Sequence, residues 1–433
     1  MTDAAPHDGL PPPHPQRHAL ANEVHARPPQ ALGTPSRVSY VAVLVDPGAR
    51  AAEAAHLAAL CRQHGAPAPA DGVNHHSAQL GRLKLKWERH GEFSGYTFIA
   101  AGQSPVPFSE PPTRQLPPGW LQGIPGRTLV AAHGKIVPGP AGGAGPEFLA
   151  RHFGAELVIG AEVGGGAGLA FTDFRLHDDG FSRFLLVDQR FTTRQAGRMM
   201  QRLFEIEAYR MMALLALPLA REQLTRVAQI ETDLARLTAE MATADGRDED
   251  LLQHVTRLAA EVESCLAASQ FRFGACRAYG ELVMTRIGEL REQHLPGVQT
   301  VGEFMARRFA PAVATCTTAS QRLHDLSERV AQASGLLSTR VDIARERQNQ
   351  ALLASMDKRA KMQLRLQETV EGLSVAAIVY YAAGLVGYGA KALKSRGLPV
   401  DPDLTVGLAL PLLVVFVLLS LRRARRRLAA AGA

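Results

Sequence analysis

Cysteine is scarce in this 433-residue chain, limited to Cys61, Cys265, Cys276 and Cys316. The four are dispersed and form no C-x-x-C, which excludes a disulfide scaffold and points to a reducing compartment. Also absent are G-x-x-x-x-G-K-[ST], H-E-x-x-H and G-x-S-x-G, so three large enzyme classes lose their usual fingerprints. Charge is not extreme: 48 basic against 41 acidic residues give +7, with 46% apolar and 21% charged residues. That balance excludes global disorder. The Pro- and His-rich start, MTDAAPHDGLPPPHPQR, lacks an apolar core and is expected to be neither a secretion signal nor a transit peptide. The length suggests roughly two or three domains.

What is there is uneven. A mean hydropathy of −0.05 is high for a wholly soluble enzyme, and the apolar residues cluster at the C-terminal end. Residues 372–390 run nineteen positions without a charge, and residues 404–421 run eighteen. A helix needs roughly twenty apolar residues to cross the hydrocarbon core, so two membrane spans are expected. Lys358, Arg359, Lys361 and Arg365 precede the first. Arg422, Arg423, Arg425, Arg426 and Arg427 follow the second and carry five of the net positive charges. The positive-inside rule then places both termini in the cytoplasm. The loop KALKSRGLPVDPD falls outside. With the charge housed in the tail, residues 1–390 are nearly neutral, which argues against a nucleic-acid partner. The partner implied is the lipid bilayer. Gly372, Ala376, Ala383 and Gly387 put small residues on the first span, where they permit close helix contact; ordinary Gly and Ala enrichment gives the same pattern. Pro411 is expected to kink the second span.

The middle reads as long helices. Thr192 or Thr193 caps a first one running to about Met241, bent near Pro218. A second runs over 249–294, with Leu251, Val255, Leu258, Val262 and Cys265 in a heptad-like stripe. A third starts near Thr300 and meets no clear stop before the membrane. Its seam is Leu323, Leu326, Val330, Ala333 and Leu337, turning polar after Val341. These stripes predict a coiled-coil-like stalk and a homo-oligomer.

The N-terminal third reads as α/β. Strands are expected at 37–46, 81–90, 95–101, 127–137, 156–163, 168–176 and 180–188, with helices at 49–65 and 146–153. A mixed or mostly antiparallel sheet with helices to one side follows. The resulting fold class is an α+β cytoplasmic domain, then long antiparallel helices, then a two-helix transmembrane hairpin. Its segments are 1–36 (Pro/His-rich), 37–190 (sheet domain), 191–371 (helical stalk), 372–421 (hairpin) and 422–433 (basic tail).

Motifs for chemistry are few. GAEVGGGAG at 160–168 lies between two strands, so it reads as a Gly-rich hairpin and not a dinucleotide loop. His14, His18 and His25 gather with Asn22, Glu23 and Arg27. His18, Glu23 and His25 are the candidate metal ligands, for a divalent cation if any cofactor is bound. Their spacing fits no standard zinc site, and a segment docked on the sheet is the preferred reading. His75-His76 is read as a loop pair. Arg190, Arg194 and Arg198 fall four apart at the start of the first long helix, where they could grip an anion or an acidic partner. Pairing with Glu205 and Glu207 is the preferred alternative. No catalytic residues and no cofactor are predicted.

RHALANEVHARPP at 17–29, GRMMQRLFEIEAYRMMALLALPLA at 197–220 and QETVEGLSVAAIVYYAAGLVGYGAKAL near the end resemble domain-of-unknown-function family 3422. That family is a set of uncharacterised, predicted membrane-anchored bacterial proteins, and the resemblance implies no activity. The order of elements is also similar to CorA-type magnesium channels, which are pentamers around the first span. Their Gly-Met-Asn signature is missing; Gly387-Tyr388-Gly389 stands there instead. The expected function is a non-enzymatic interaction or sensing role. The alternative is a CorA-like cation channel without that selectivity motif.

Overall fold

A computed structural model describes residues 14–18, 20–21, 28–140, 143–154, 157–243, 247–396, 399 and 401–431, with side chains in the last helix as far as Arg423. It divides into two units, Met1–Ser334 and Gly335–Ala433.

The first unit is built on one eight-stranded sheet. The strands are β1 (Ser36–Leu44), β2 (His75–Leu80), β3 (Leu83–Arg89), β4 (Phe93–Ala101), β5 (Arg127–Pro138), β6 (Ile159–Val163), β7 (Gly168–Thr172) and β8 (Ser182–Asp188). Their order is β2-β3-β4-β1-β5-β8-β7-β6. Only β5 and β8 run parallel. The crossover between them contains helix α2 (Pro146–Phe153) and the β6–β7 hairpin, as a parallel pair requires. The expected strands are all present, but β2 is an addition. His75-His76 opens it and pairs with Glu88 and Trp87, so the pair is not in a loop. The alternation in HHSAQL is too weak in apolar residues to signal a strand by itself; the neighbouring edge of β3 recruits it.

Helix α1 (Arg50–Gln63) covers one face of the sheet. There Leu57, Leu60 and Cys61 pack with Leu85, Trp87, Tyr96 and Phe98 and with Trp120 from the long loop before β5. Helix α2 covers the same face further along, around Phe153, Phe171, Leu185 and Val187. The other face carries α3 (Thr193–Leu214), whose Phe204 stacks on Tyr40 at 5.2 Å. The sheet is therefore covered on both sides, not on one.

The first long helix is two. Helix α3 ends at Leu214 and α4 (Ala216–Thr243) begins after Leu215. Pro218 falls in the first turn of α4, where its missing N–H has no intrahelical bond to lose. Thr192 caps α3 in a full capping box with Gln195. Helix α5 (Asp248–Leu290) buries its whole stripe from Leu251 to Cys265. It stops short of the expected end because Gln293 pairs instead with Glu162 of β6. The third helix also breaks. Helix α6 (Val301–Arg308), capped by Thr300 and Glu303, precedes α7 (Ala310–Ser395), with Pro311 in the first turn of the latter. Leu323, Leu326, Val330, Ala333 and Leu337 are buried, as the seam requires.

The second unit holds the remainder of α7 and helix α8 (Pro402–Ala431). Both helices are long and apolar enough to cross a membrane. Ala383 is buried and a Cβ at Gly387 would lie 3.2 Å from Val406, so this half of the small-residue stripe faces α8. Gly372 and Ala376 are exposed. Pro411 sits inside α8, which continues through it.

Candidate functional site

Strands β1, β5 and β8 are neighbours, and alternation fixes what each shows to the α2 side. Arg37 and Ser39 of β1 stand opposite Lys135 and His133 of β5, and Arg183 of β8 stands beside His133. Five polar side chains thus share one patch of sheet, between the two apolar clusters that flank it.

His133 is 2% exposed. Its Nδ1 lies 2.9 Å from the Ser39 hydroxyl, and its ring stacks on Phe181 at 3.9 Å. Burial pushes its pKa down to about 4, with Asp179 opposing and Arg183 adding to the effect. The ring is therefore neutral at pH 7. Ser39, His133 and Asp179 have the residue types of a hydrolytic triad, but not its geometry. Asp179 is 3.9 Å away, beyond hydrogen-bond distance, and the Ser39 hydroxyl is on a fully buried residue that no substrate reaches.

Lys135 is the unusual member. It is 4% exposed, and its side chain has no hydrogen bond or ion pair among the described residues. Burial lowers its pKa, and Arg37 across the strand lowers it further. Arg37 donates from Nη1 to Glu110 at 3.4 Å and to the Glu110 carbonyl at 2.8 Å; its Nε is sealed without an acceptor. Among the described residues Arg183 pairs with no carboxylate. It lies over the Phe108 ring at 5.3 Å, donates to the His152 carbonyl at 3.5 Å, and leaves its own Nε sealed without an acceptor. Phe108 reaches this position with φ of 61°, a strained value for a bulky residue. His152 of α2 completes the rim. Burial is the main cause of its lowered pKa, and Lys135 contributes. Chemically, this is a buried, electropositive patch with too few carboxylates.

The residues singled out from the sequence lie elsewhere. Arg190 precedes α3 and donates to the carbonyls of Gly166 at 2.9 Å and Gly165 at 3.2 Å, so it tethers the Gly-rich hairpin and shares no helix face with Arg194 and Arg198. Arg198 lines an open groove with Arg202, Glu289 and Arg291, and Arg202 pairs with Glu289 at 2.9 Å. The expected pairing with Glu205 and Glu207 is not formed: Glu207 binds Arg210, and Glu205 reaches Arg286 on α5. His18 is exposed, and Glu23 and His25 lie outside the described residues, as do the side chains of Arg425, Arg426 and Arg427. Among the described residues no three His, Cys, Asp or Glu side chains gather as metal ligands.

On the opposite face, a cavity of about 40 Å³ between the sheet and α3 is lined by Tyr40, Lys86, Glu88, Gln201 and Glu205. Lys86 pairs with Glu88 at 2.9 Å and donates to Gln201, which donates to Glu205. Each cation there has its acceptor, so the network joins sheet to helices and has room for about one or two waters.

Residues 12–428 match the family described as protein of unknown function (DUF3422). The chain belongs to that family. No curated protein and no solved structure matches it, so the CorA likeness rests on element order alone. One contact lies at the edges of two of the family signature segments. Gln30, just past the first, lies so close to Gly197, at the start of the second, that a Cβ there would overlap the Gln30 carbonyl. The patch around Lys135 lies outside those segments. The clue in the sequence was slight: His133 and Lys135 interrupt an otherwise apolar strand.

Proposed function

We propose that this protein is a non-enzymatic, homo-oligomeric sensing or interaction module anchored in the bacterial inner membrane, with its sheet domain and both termini in the cytoplasm. The observation that carries this reading is helix α7. It begins with a buried seam from Cys316 to Leu337 and continues without a break into an apolar window suited to a bilayer. One helix shared by both units is a direct path from a ligand-responsive domain to a membrane anchor.

Self-association is supported by what α7 exposes. Leu352, Met356, Leu366 and Val370 are each more than half exposed on a helix that is bare on all sides there. Their spacings of four and fourteen place them on one face at heptad intervals. An exposed apolar row of this kind marks a contact surface.

The test is a mass measurement by light scattering in mild detergent, combined with reporter fusions at residues 1, 399 and 433. A multimer with reporters cytoplasmic, external and cytoplasmic is expected. A monomer, or a cytoplasmic loop, overturns the corresponding part. The channel alternative predicts ion flux in liposomes, which the sensing reading does not.

A further inference from the structure

We propose that the sheet face bearing Arg37, Lys135 and Arg183 is a binding site for a small free oxyanion, a carboxylate or a phosphate. The inference deepens the sensing reading by naming its ligand class, and it rests on that reading only for the biological consequence.

The argument is one of uncompensated charge. Removing an ammonium from water without a partner is strongly unfavourable, yet Lys135 is 4% exposed and unpartnered among the described residues. Directly across the ladder stands Arg37, at the roughly 5 Å separation of paired strand residues. Arg183 is diagonal to Lys135 through β8, at roughly 7–8 Å. Three basic residues thus occupy neighbouring positions on one face of a rigid sheet. The carboxylates that meet the patch among the described residues, Glu110 on Arg37 and Asp179 beside His133, are 57% and 41% exposed.

The donors also have the right character. The Nε–H groups of Arg37 and Arg183 are sealed and unpaired, so each presents a donor with nothing to receive it. The Lys135 ammonium, by contrast, is not among the sealed atoms, which leaves it a narrow opening to solvent. An ammonium with the Arg37 guanidinium near it and a further arginine on the adjacent strand suits the oxygens of a carboxylate or phosphate. Neutral His133 and the Phe108 ring add no competing negative charge. Such near-complete burial selects a ligand of few atoms over a nucleotide or a peptide. Burial is the main cause of the lowered pKa values of Lys135 and His152, with Arg37 adding to the first and Lys135 to the second.

The experiment is calorimetric titration of the full chain in nanodiscs of phosphatidylcholine, with inorganic phosphate in one arm and acetate in another. Thermal unfolding is followed in parallel. At least one anion is expected to bind and to raise the unfolding temperature. In Lys135→Met its affinity falls by about tenfold or more, the size of one lost charge-assisted contact. The anion-free unfolding temperature of that variant rises, because a buried lone cation has been replaced by an apolar chain of similar length. Arg183→Met should lose affinity in the same way. The proposal is overturned if neither anion binds, if both variants bind as the wild type does, or if binding appears only in nanodiscs with anionic lipid. A folded multimer that binds neither anion sinks this inference alone. A monomer that binds one sinks the self-association reading alone.

Discussion

Glu53 and Lys135 illustrate two opposite ways to bury a charge. Glu53, 1% exposed, accepts from Trp87 Nε1 at 3.1 Å, Tyr96 at 2.8 Å and Arg50 at 3.1 Å. Both carboxylate oxygens are satisfied, and Arg50 is steadied further by Ser94. Removing the carboxylate leaves the buried Trp87 and Tyr96 donors unpaired and Arg50 without its counter-ion. Glu53→Ala is therefore expected to lose about 3–5 kcal/mol of stability, read as a lower denaturation midpoint at unchanged slope. His133 makes the second residue-scale prediction. Unfolded, an imidazole protonates near pH 6.5; in the fold this one waits until about 4. Between those values the unfolded chain binds more protons, so stability is present above pH 6.5 and is lost as pH falls toward 4. The contribution amounts to about 3 kcal/mol. His133→Asn, which can keep the bond to Ser39, should flatten that part of the stability–pH profile. An unchanged slope would place the titration elsewhere.

At the scale of elements, close packing depends on what is missing. A Cβ at Gly134 of β5 would lie 2.5 Å from Met200 and 2.8 Å from Phe204, so the absence of a side chain lets α3 settle on the sheet. Gly134→Ala is expected to destabilise by about 1–3 kcal/mol through overpacking. Gly197→Ala should cost more, because it meets backbone at Gln30 and not a yielding side chain. Chemical denaturation of the two variants side by side gives the ranking. Much of the element pattern was legible in the sequence. Seven of the eight strands carry apolar runs bounded by turn residues, and the stripes of α5 and α7 repeat at helical spacing. Breaks were harder to read, because Pro218 and Pro311 are as compatible with a bend as with a new first turn. The short edge strand β2 has too little apolar alternation of its own. The patch at Lys135 was the least legible, since it forms only when β1, β5 and β8 are brought together from residues 37, 135 and 183. No local window contains it.

At the scale of the whole molecule, α7 sets the question of assembly. Within the first unit its apolar residues Leu323, Leu326, Val330 and Ala333 are buried. Beyond Val341 they continue in the sequence but meet no neighbour: Leu352, Met356, Leu366 and Val370 are 57–66% exposed. Intervening Arg359 and Gln363 make the row imperfect, which suits a contact that several copies of the helix share better than a single buried seam. If the row is the contact, charge placed on it acts on assembly and leaves the fold of each chain intact. Replacing Leu352 and Leu366 together with Glu is expected to convert the detergent-solubilised multimer to a smaller species by light scattering. The circular-dichroism spectrum and the unfolding midpoint of the sheet unit should not change, since neither residue contributes to its core. The same pair changed to Ile should assemble as the wild type does. If the Glu variant keeps the full mass, the copies meet elsewhere. The span residues Gly372 and Ala376, exposed on α7, then become the next surface to substitute.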